Sequence, residues 1–328
     1  MNVDPTELII RPITGPEELE LFCQLPYVLD HELPDDLDQG RRRPAWLWVA
    51  LHGDRLVARL AWWGDADADV PQLLDVLDLD DTAEHRVEVG VELLRTALAA
   101  TLPPAATPPE YGRYVPPDWR DDPGTRRAVE DRMAVVERLG GTLLVERLRL
   151  DWLPGTPILE PSGRLSFRVP RGPEEIIELM TAVIHGTLDA HSLDDLRTMS
   201  AEAAAAAHFE GELARQVSPL GWWRVATLAD GEPVGFVTPG RNHSNPVIGY
   251  LAVLPAHRGH GYIDEILAEG TRVLVAQDVP RIRAATDVRN VPMARAFERA
   301  GWINFERALH MTWTGGARAC SGADGWSA

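Results

Sequence analysis

From Val253 to Ile263 the chain reads Val-Leu-Pro-Ala-His-Arg-Gly-His-Gly-Tyr-Ile, a stretch whose residue types and spacing could do chemistry. An apolar run ends in proline, a glycine-rich turn follows, and an apolar-periodic segment begins at Tyr262. Such a turn gathers backbone N–H groups at a helix N-terminus, where the helix dipole also favours an anion. Glycines let phosphate oxygens approach the backbone without a Cβ in the way. Arg258 adds a charged donor. The same glycines would serve a tight turn needing positive φ at Gly259 or Gly261, so spacing alone leaves phosphate binding and a plain turn both open.

The elements that must position this turn follow from periodicity and turn residues. A helical region is predicted over residues 174–216, with strands near 222–229, 233–238 and 247–253. A helix over 262–277, a strand over 282–288, a helix over 292–299 and a strand over 303–313 complete the order. This order predicts an α/β sheet with helices on both faces.

Tyr250-Leu251-Ala252-Val253-Leu254-Pro255 followed by Arg258-Gly259-His260-Gly261 resembles the coenzyme A (CoA) signature of the GNAT N-acetyltransferase superfamily. That signature reads Arg or Gln, two residues, Gly, one residue, then Gly or Ala. Downstream, the run from Asn290 through Phe297 to Gly301-Trp302 resembles the family's second signature, an Asn opening a helix that ends in Gly-aromatic. The resemblance implies an acyl-CoA-dependent N-acyltransferase that moves an acetyl group from acetyl-CoA, its cosubstrate, to an amine by direct attack. It implies that backbone groups of Leu251, Ala252 and Val253 pair with the pantetheine arm, and that the amides of Gly259, His260, Gly261, Tyr262 and Ile263 hold the pyrophosphate. Asn290 would lie beside the thiol. Ile263 stands where the family prefers Gly or Ala, and Phe297 where many members carry a tyrosine that protonates the thiolate. The strand before the turn lacks the glutamate the family often places there. His243 and Asp287 are the substitutes for that base, and Tyr250 or Tyr262 for the acid. Each also has a plainer reading: a loop histidine, a turn or cap acid, packing tyrosines.

The chain is also one unit written twice. Leu8-Ile9-Ile10-Arg11 before Gly15-Pro16-Glu17-Glu18 matches Leu165-Ser166-Phe167-Arg168 before Gly172-Pro173-Glu174-Glu175. Glu137-Arg138-Leu139-Gly140 and Glu298-Arg299-Ala300-Gly301 lead at equal spacing to Trp152 and Trp313. The expected architecture is therefore two tandem GNAT-like domains, each a twisted, mixed but mostly antiparallel sheet flanked by helices. They span residues 1–155 and 163–314, with a linker at 156–162 and a flexible tail at 315–328. Residues 103–124, rich in proline and acids, read as a long loop. Aligning Trp46 with Trp223 sets Asp78 against Pro255 and Leu79-Asp80-Asp81-Thr82-Ala83-Glu84 against the cofactor turn. No glycine falls there, and each carboxylate near a phosphate would cost on the order of 1–4 kcal/mol. The first half is expected to keep the fold, lose the cofactor and support the second half.

Composition bounds the rest. A net charge of −18 over 328 residues argues against nucleic-acid partners, which require basic patches. Arg41-Arg42-Arg43 reads as a solvated loop, or else as a clamp over phosphates. No apolar run reaches the roughly 20 residues that span a bilayer, and no signal core opens the chain. Cys23 and Cys320 are too few for a disulfide framework or a cysteine metal site, so no metal is expected and the cytoplasm is the expected location. The 11 tryptophans, among them Trp62-Trp63 and Trp222-Trp223, suit core packing, or an acceptor pocket. A small-molecule amine is the leading acceptor; a protein amine and a noncatalytic acyl-CoA-binding or regulatory module are the alternatives. Oligomeric state is left open.

Overall fold

Each repeat opens on the same device in the computed structural model, which describes residues 8–242 and 244–313. Strand β1 (Leu8–Pro12) carries Arg11, whose guanidinium grips Glu18 through two 2.7 Å bonds. After α1 (Leu19–Phe22) and the rest of the first half, strand β7 (Ser166–Arg168) ends in Arg168, which grips Glu175 at 2.9 and 2.5 Å. The same glutamate accepts a backbone N–H at 2.7 Å in each case, from Thr14 and from Arg171. The Gly-Pro-Glu-Glu repeat is thus repeated in its interactions, fastening a strand end to the helical turn that follows.

The chain forms two compact units. Of the described residues, one takes 8–144 and 308–313, the other Val145–Arg307. The division falls inside β6 (Gly141–Trp152) and β12 (Ile303–Trp313). The repeat in the sequence places its linker later, at 156–162. A repeat marks order along the chain, whereas compact units follow strand pairing.

In the first unit β1, β2 (Leu47–His52), β3 (Arg55–Trp63) and β4 (Leu73–Leu79) run antiparallel, and β5 (Glu110–Val115) lies parallel to β4. Residues 308–313 of β12 follow β5 in the sheet. Helices α2 (Leu33–Asp38), α3 (Arg86–Thr101) and α4 (Pro123–Arg138) complete it. Helix α3 buries Val89, Leu93, Leu94 and Ala97, one face at helical spacing, in a core with Leu60, Trp62 and Leu77. Two readings are corrected here. Residues 103–124 are not a loop throughout, because they contain β5, whose Tyr111 is fully buried. Arg42 is not solvated: it is buried, bonds both oxygens of Asp75 at 2.7 and 2.5 Å, reaches Asp36 at 2.9 Å, and donates to the Trp62 carbonyl. Acids from two other elements supply the counter-charge that makes its burial tolerable.

In the second unit β7, β8 (Arg224–Thr227), β9 (Pro233–Arg241) and β10 (Pro246–Val253) are antiparallel, β11 (Ile282–Asp287) is parallel to β10, and residues 147–152 of β6 run antiparallel to β11. Val225 and Phe236 pack with α5 (Pro173–Ile184) and α7 (Ala201–Gly211), while their neighbours Ala226 and Val237 pack with α8 (Tyr262–Val275) and α9 (Val291–Arg299). Period-two alternation along the strands therefore covers both sheet faces with helices. Trp223 is part of the first of these clusters, a core use. On α8, Ile266, Leu267, Val273 and Leu274 are buried, each contributing about 1.5–3 kcal/mol. The predicted helical region 174–216 is three helices, because Asp189 starts α6 (Ala190–Asp195) by accepting from Ser192 N, and Ser200 starts α7 by accepting from Ala203 N. Among the described residues no helix is long and apolar enough to cross a membrane.

Candidate active site

Strand β10 carries the site. It is paired with β11 only at Val247↔Arg283, while on its other side it stays with β9 as far as Val253↔Gly235. That second ladder is interrupted between Ile248 and Leu251, a bulge at Gly249-Tyr250. Beyond the bulge, among the described residues, no strand lies beside Leu251, Ala252 and Val253 on the side away from β9, although the Val253 carbonyl is taken by Arg258. Backbone groups on such an edge are open to an extended ligand.

The edge runs directly into the turn. Pro255–His257 form one short 3-10 turn, Gly259 and Gly261 adopt φ of +84° and +73°, and α8 begins at Tyr262. These are left-handed conformations that only glycine adopts cheaply. Among the described residues no protein acceptor takes the N–H of Gly259, His260, Gly261, Tyr262 or Ile263. Five free amides at the start of a 14-residue helix form an anion cradle.

Arg258 has a different job from the one its position suggests. Its guanidinium donates to the carbonyls of Val253, Val183, His185 and Gly186 at 2.9–3.3 Å, closing the C-terminal end of α5. A cation there suits the helix dipole, and the turn is thereby tied to α5. Arg164, absent from the sequence reading, braces the turn from the other side through the His260 carbonyl at 3.2 Å, Glu265, and the face of Tyr262. It lies far from the motif in sequence and carries no signature of its own.

Of the catalytic candidates, His243 lies outside the described residues. Asp287 ends β11 and is 2% exposed. It accepts from Ala190 N at 2.7 Å and faces Arg147 Nε at 3.2 Å, so it anchors the start of α6. Burial first, then the charge of Asp189, pushes its pKa up; Asp189 itself, despite burial, is brought down to about 2 by Arg147 and His191. Tyr250, at the bulge, is half-buried, stacked on Phe236 at 5.3 Å and edge-on to His208 at 5.2 Å. Burial, then Asp189 and Glu212, push its phenol up, so it stays protonated. Asn290 caps α9, its side chain accepting from Met293 N at 3.4 Å. Phe297 is buried against Trp302.

The first unit has the same strand end with different contents. Ala58↔Leu79 and the Asp80 N–H to Val57 carbonyl bond match Gly235↔Val253 and the Leu254 N–H to Val234 carbonyl bond. Asp80 thus corresponds to Leu254, three residues from the alignment anchored on the tryptophans. The turn at 80–85 has six residues and no glycine, against eight at 254–261. β4 likewise parts from β5 after Leu74↔Tyr111, but arginines occupy the gap: Arg113 donates to the Leu77 carbonyl and Asp78, and Arg132 to the Leu79 carbonyl and Asp81. The acids expected to repel a phosphate are therefore not bare, since Arg59 also holds Asp78 and Arg55 holds Asp80. Arg258 fills the Val253 carbonyl as Arg132 fills that of Leu79, so the differences in the first unit are the second filled carbonyl, at Leu77, and the turn without glycine.

Residues 184–303 match the Acetyltransferase (GNAT) domain family. The curated proteins offer no sequence match. Among solved structures, a GCN5-related N-acetyltransferase from Sphaerobacter thermophilus is similar over 97% of this chain and 99% of its own, at 16% identity and a TM-score of 0.58. A tandem GNAT protein from the clavulanic acid biosynthesis pathway, solved without AcCoA, is similar over 95% and 100%, at 16% identity and a TM-score of 0.50. A GCN5-related glucosamine N-acetyltransferase region of a fungal multi-domain β-N-acetylglucosaminidase aligns with 94% of this chain and 38% of its own, at 15% identity and a TM-score of 0.54. The chain thus contains a GNAT acetyltransferase domain across residues 184–303 and, over nearly its whole length, shares the fold of a tandem GNAT protein.

Proposed function

We propose that the second unit binds acetyl-CoA and transfers its acetyl group to the amine of a small molecule by direct attack. One observation carries this reading: the strand-free edge of β10 is followed, across the short turn at Pro255–His257, by five unpartnered amides at the start of α8. The pyrophosphate lies on the amides of Gly259 through Ile263. The pantetheine arm runs back along Val253, Ala252 and Leu251, and the thioester sits at the Gly249-Tyr250 bulge. A backbone N–H near the bulge steadies the oxyanion as the amine attacks. The C–S bond then breaks, and Tyr250, kept protonated by its surroundings, supplies a proton to the thiolate. A thiol with a reference pKa near 8.5 is a fair leaving group, so the phenylalanine at 297 does not block turnover.

The test is an amine panel incubated with acetyl-CoA while free thiol is followed. Release above the no-amine rate with at least one small amine is the expected result. CoA binding without turnover of any panel member would favour a noncatalytic acyl-CoA-binding module.

A further inference from the structure

His208 on the last turn of α7, Glu212 just after it and Gln216 past the 3-10 turn at Leu213–Arg215 lie four residues apart along the chain and gather at the bulge of β10. Glu212 follows the helix, its N–H donating to the His208 carbonyl at 3.0 Å, and its carboxylate lies 3.4 Å from His208 Nε2. Both side chains are about one-third exposed, at 30% and 33%. The His208 ring meets Tyr250 edge-on at 5.2 Å. Gln216 is seated more tightly. A Cβ at Gly240 would collide with its Oε1, and one at Gly249 with its Nε2, so neighbouring strands both forgo a side chain to admit one carboxamide. That Oε1 is buried without a partner. A buried, unpaired carbonyl oxygen is costly, and an incoming N–H donor would relieve it.

Building on the transferase reading, we propose that this row is the acceptor subsite, in which Glu212 and Gln216 receive a cationic primary amine and His208 takes its proton. The row offers a carboxylate and an amide oxygen. Around Tyr250 the other charges are Asp189 at the start of α6 and Arg258 in the turn, and Arg258 is already engaged by carbonyls. The ammonium donates to Glu212 and Gln216 and loses one proton to His208. The freed lone pair forms the C–N bond, the C–S bond breaks, and its electron pair leaves on sulfur. Tyr250 gives its proton to that sulfur and is restored by the second N–H proton, and the proton on His208 passes to water. The products are the amide and CoA thiol.

The experiment compares cationic amines (diamines and amino sugars) with an arylamine that is neutral at pH 7, following thiol release. Glu212→Gln should raise KM for the cationic amines at least tenfold while leaving KM for the arylamine and for acetyl-CoA unchanged. Glu212→Asp should restore part of the preference. His208→Gln should lower kcat and remove the acidic limb of the pH–rate profile. Equal KM shifts for both amine classes, or an intact acidic limb in His208→Gln, would overturn the subsite. Calorimetry with CoA separates the two proposals. Wild-type protein that fails to bind CoA sinks the transferase reading, and CoA binding with no amine acetylated sinks both. Acetylation that none of the variants alters sinks the subsite alone.

Discussion

Single residues differ in how openly they declare their roles. Gly261 does so: its φ of +73° is strained for any β-branched residue, and no atom lies within 4 Å of where a Cβ would go. Gly261→Val should therefore fold, yet disturb the turn and weaken CoA binding at least tenfold, about 1.4 kcal/mol, as read by calorimetry. Glu175 is equally explicit about pH. Its bond to Arg168 holds the carboxylate at about 2, below its ordinary value of about 4.3. A depressed folded pKa means stability present above about pH 4.3 and lost as pH falls toward about 2. Arg168 is 37% exposed, so solvent screening limits the effect to about 1 kcal/mol. In thermal melts the gap between wild type and Glu175→Gln should narrow as pH drops from about 5 to about 3. A gap that stays constant would show that the pair contributes no pH-dependent stability.

Elements owe more to partners distant in sequence. Arg42 belongs to a three-arginine run that looks solvated, yet it joins α2, through Asp36, to β3 and β4, through the Trp62 carbonyl and Asp75. Arg42→Met should leave two buried carboxylates poorly compensated and cost about 3–5 kcal/mol in urea denaturation. Arg41→Ala, removing a side chain 30% exposed, should cost about 1 kcal/mol or less. Equal losses from the two would contradict the buried network. Strand β5 was hidden for a related reason: prolines on either side of Glu110–Val115 signal a loop, and only pairing with β4 and β12 makes the segment a strand. Propensity is a weak guide where tertiary pairing decides.

Across the whole chain, two units share a strand order and the opening Arg–Glu lock, but only the second keeps an open edge and a glycine turn. We expect one CoA per chain by equilibrium titration, with Gly261→Val weakening all of the binding. A stoichiometry near two, or a full-strength site surviving in Gly261→Val, would show that the first unit binds as well. The sequence by itself determined the duplication, the order of elements in the second half and the turn motif, because periodicity, glycines and repeated spacing are local signals that survive without a partner. It also identified the first half as lacking a glycine turn. Tertiary structure alone decided that β6 and β12 divide between the units, that Arg113 and Arg132 fill the gap beside β4, and that Arg258 closes α5. It alone brought Gln216 against Gly240 and Gly249. Each depends on which groups meet across long separations in the chain, where burial requires a counter-charge or a donor and no local pattern records which residue supplies it.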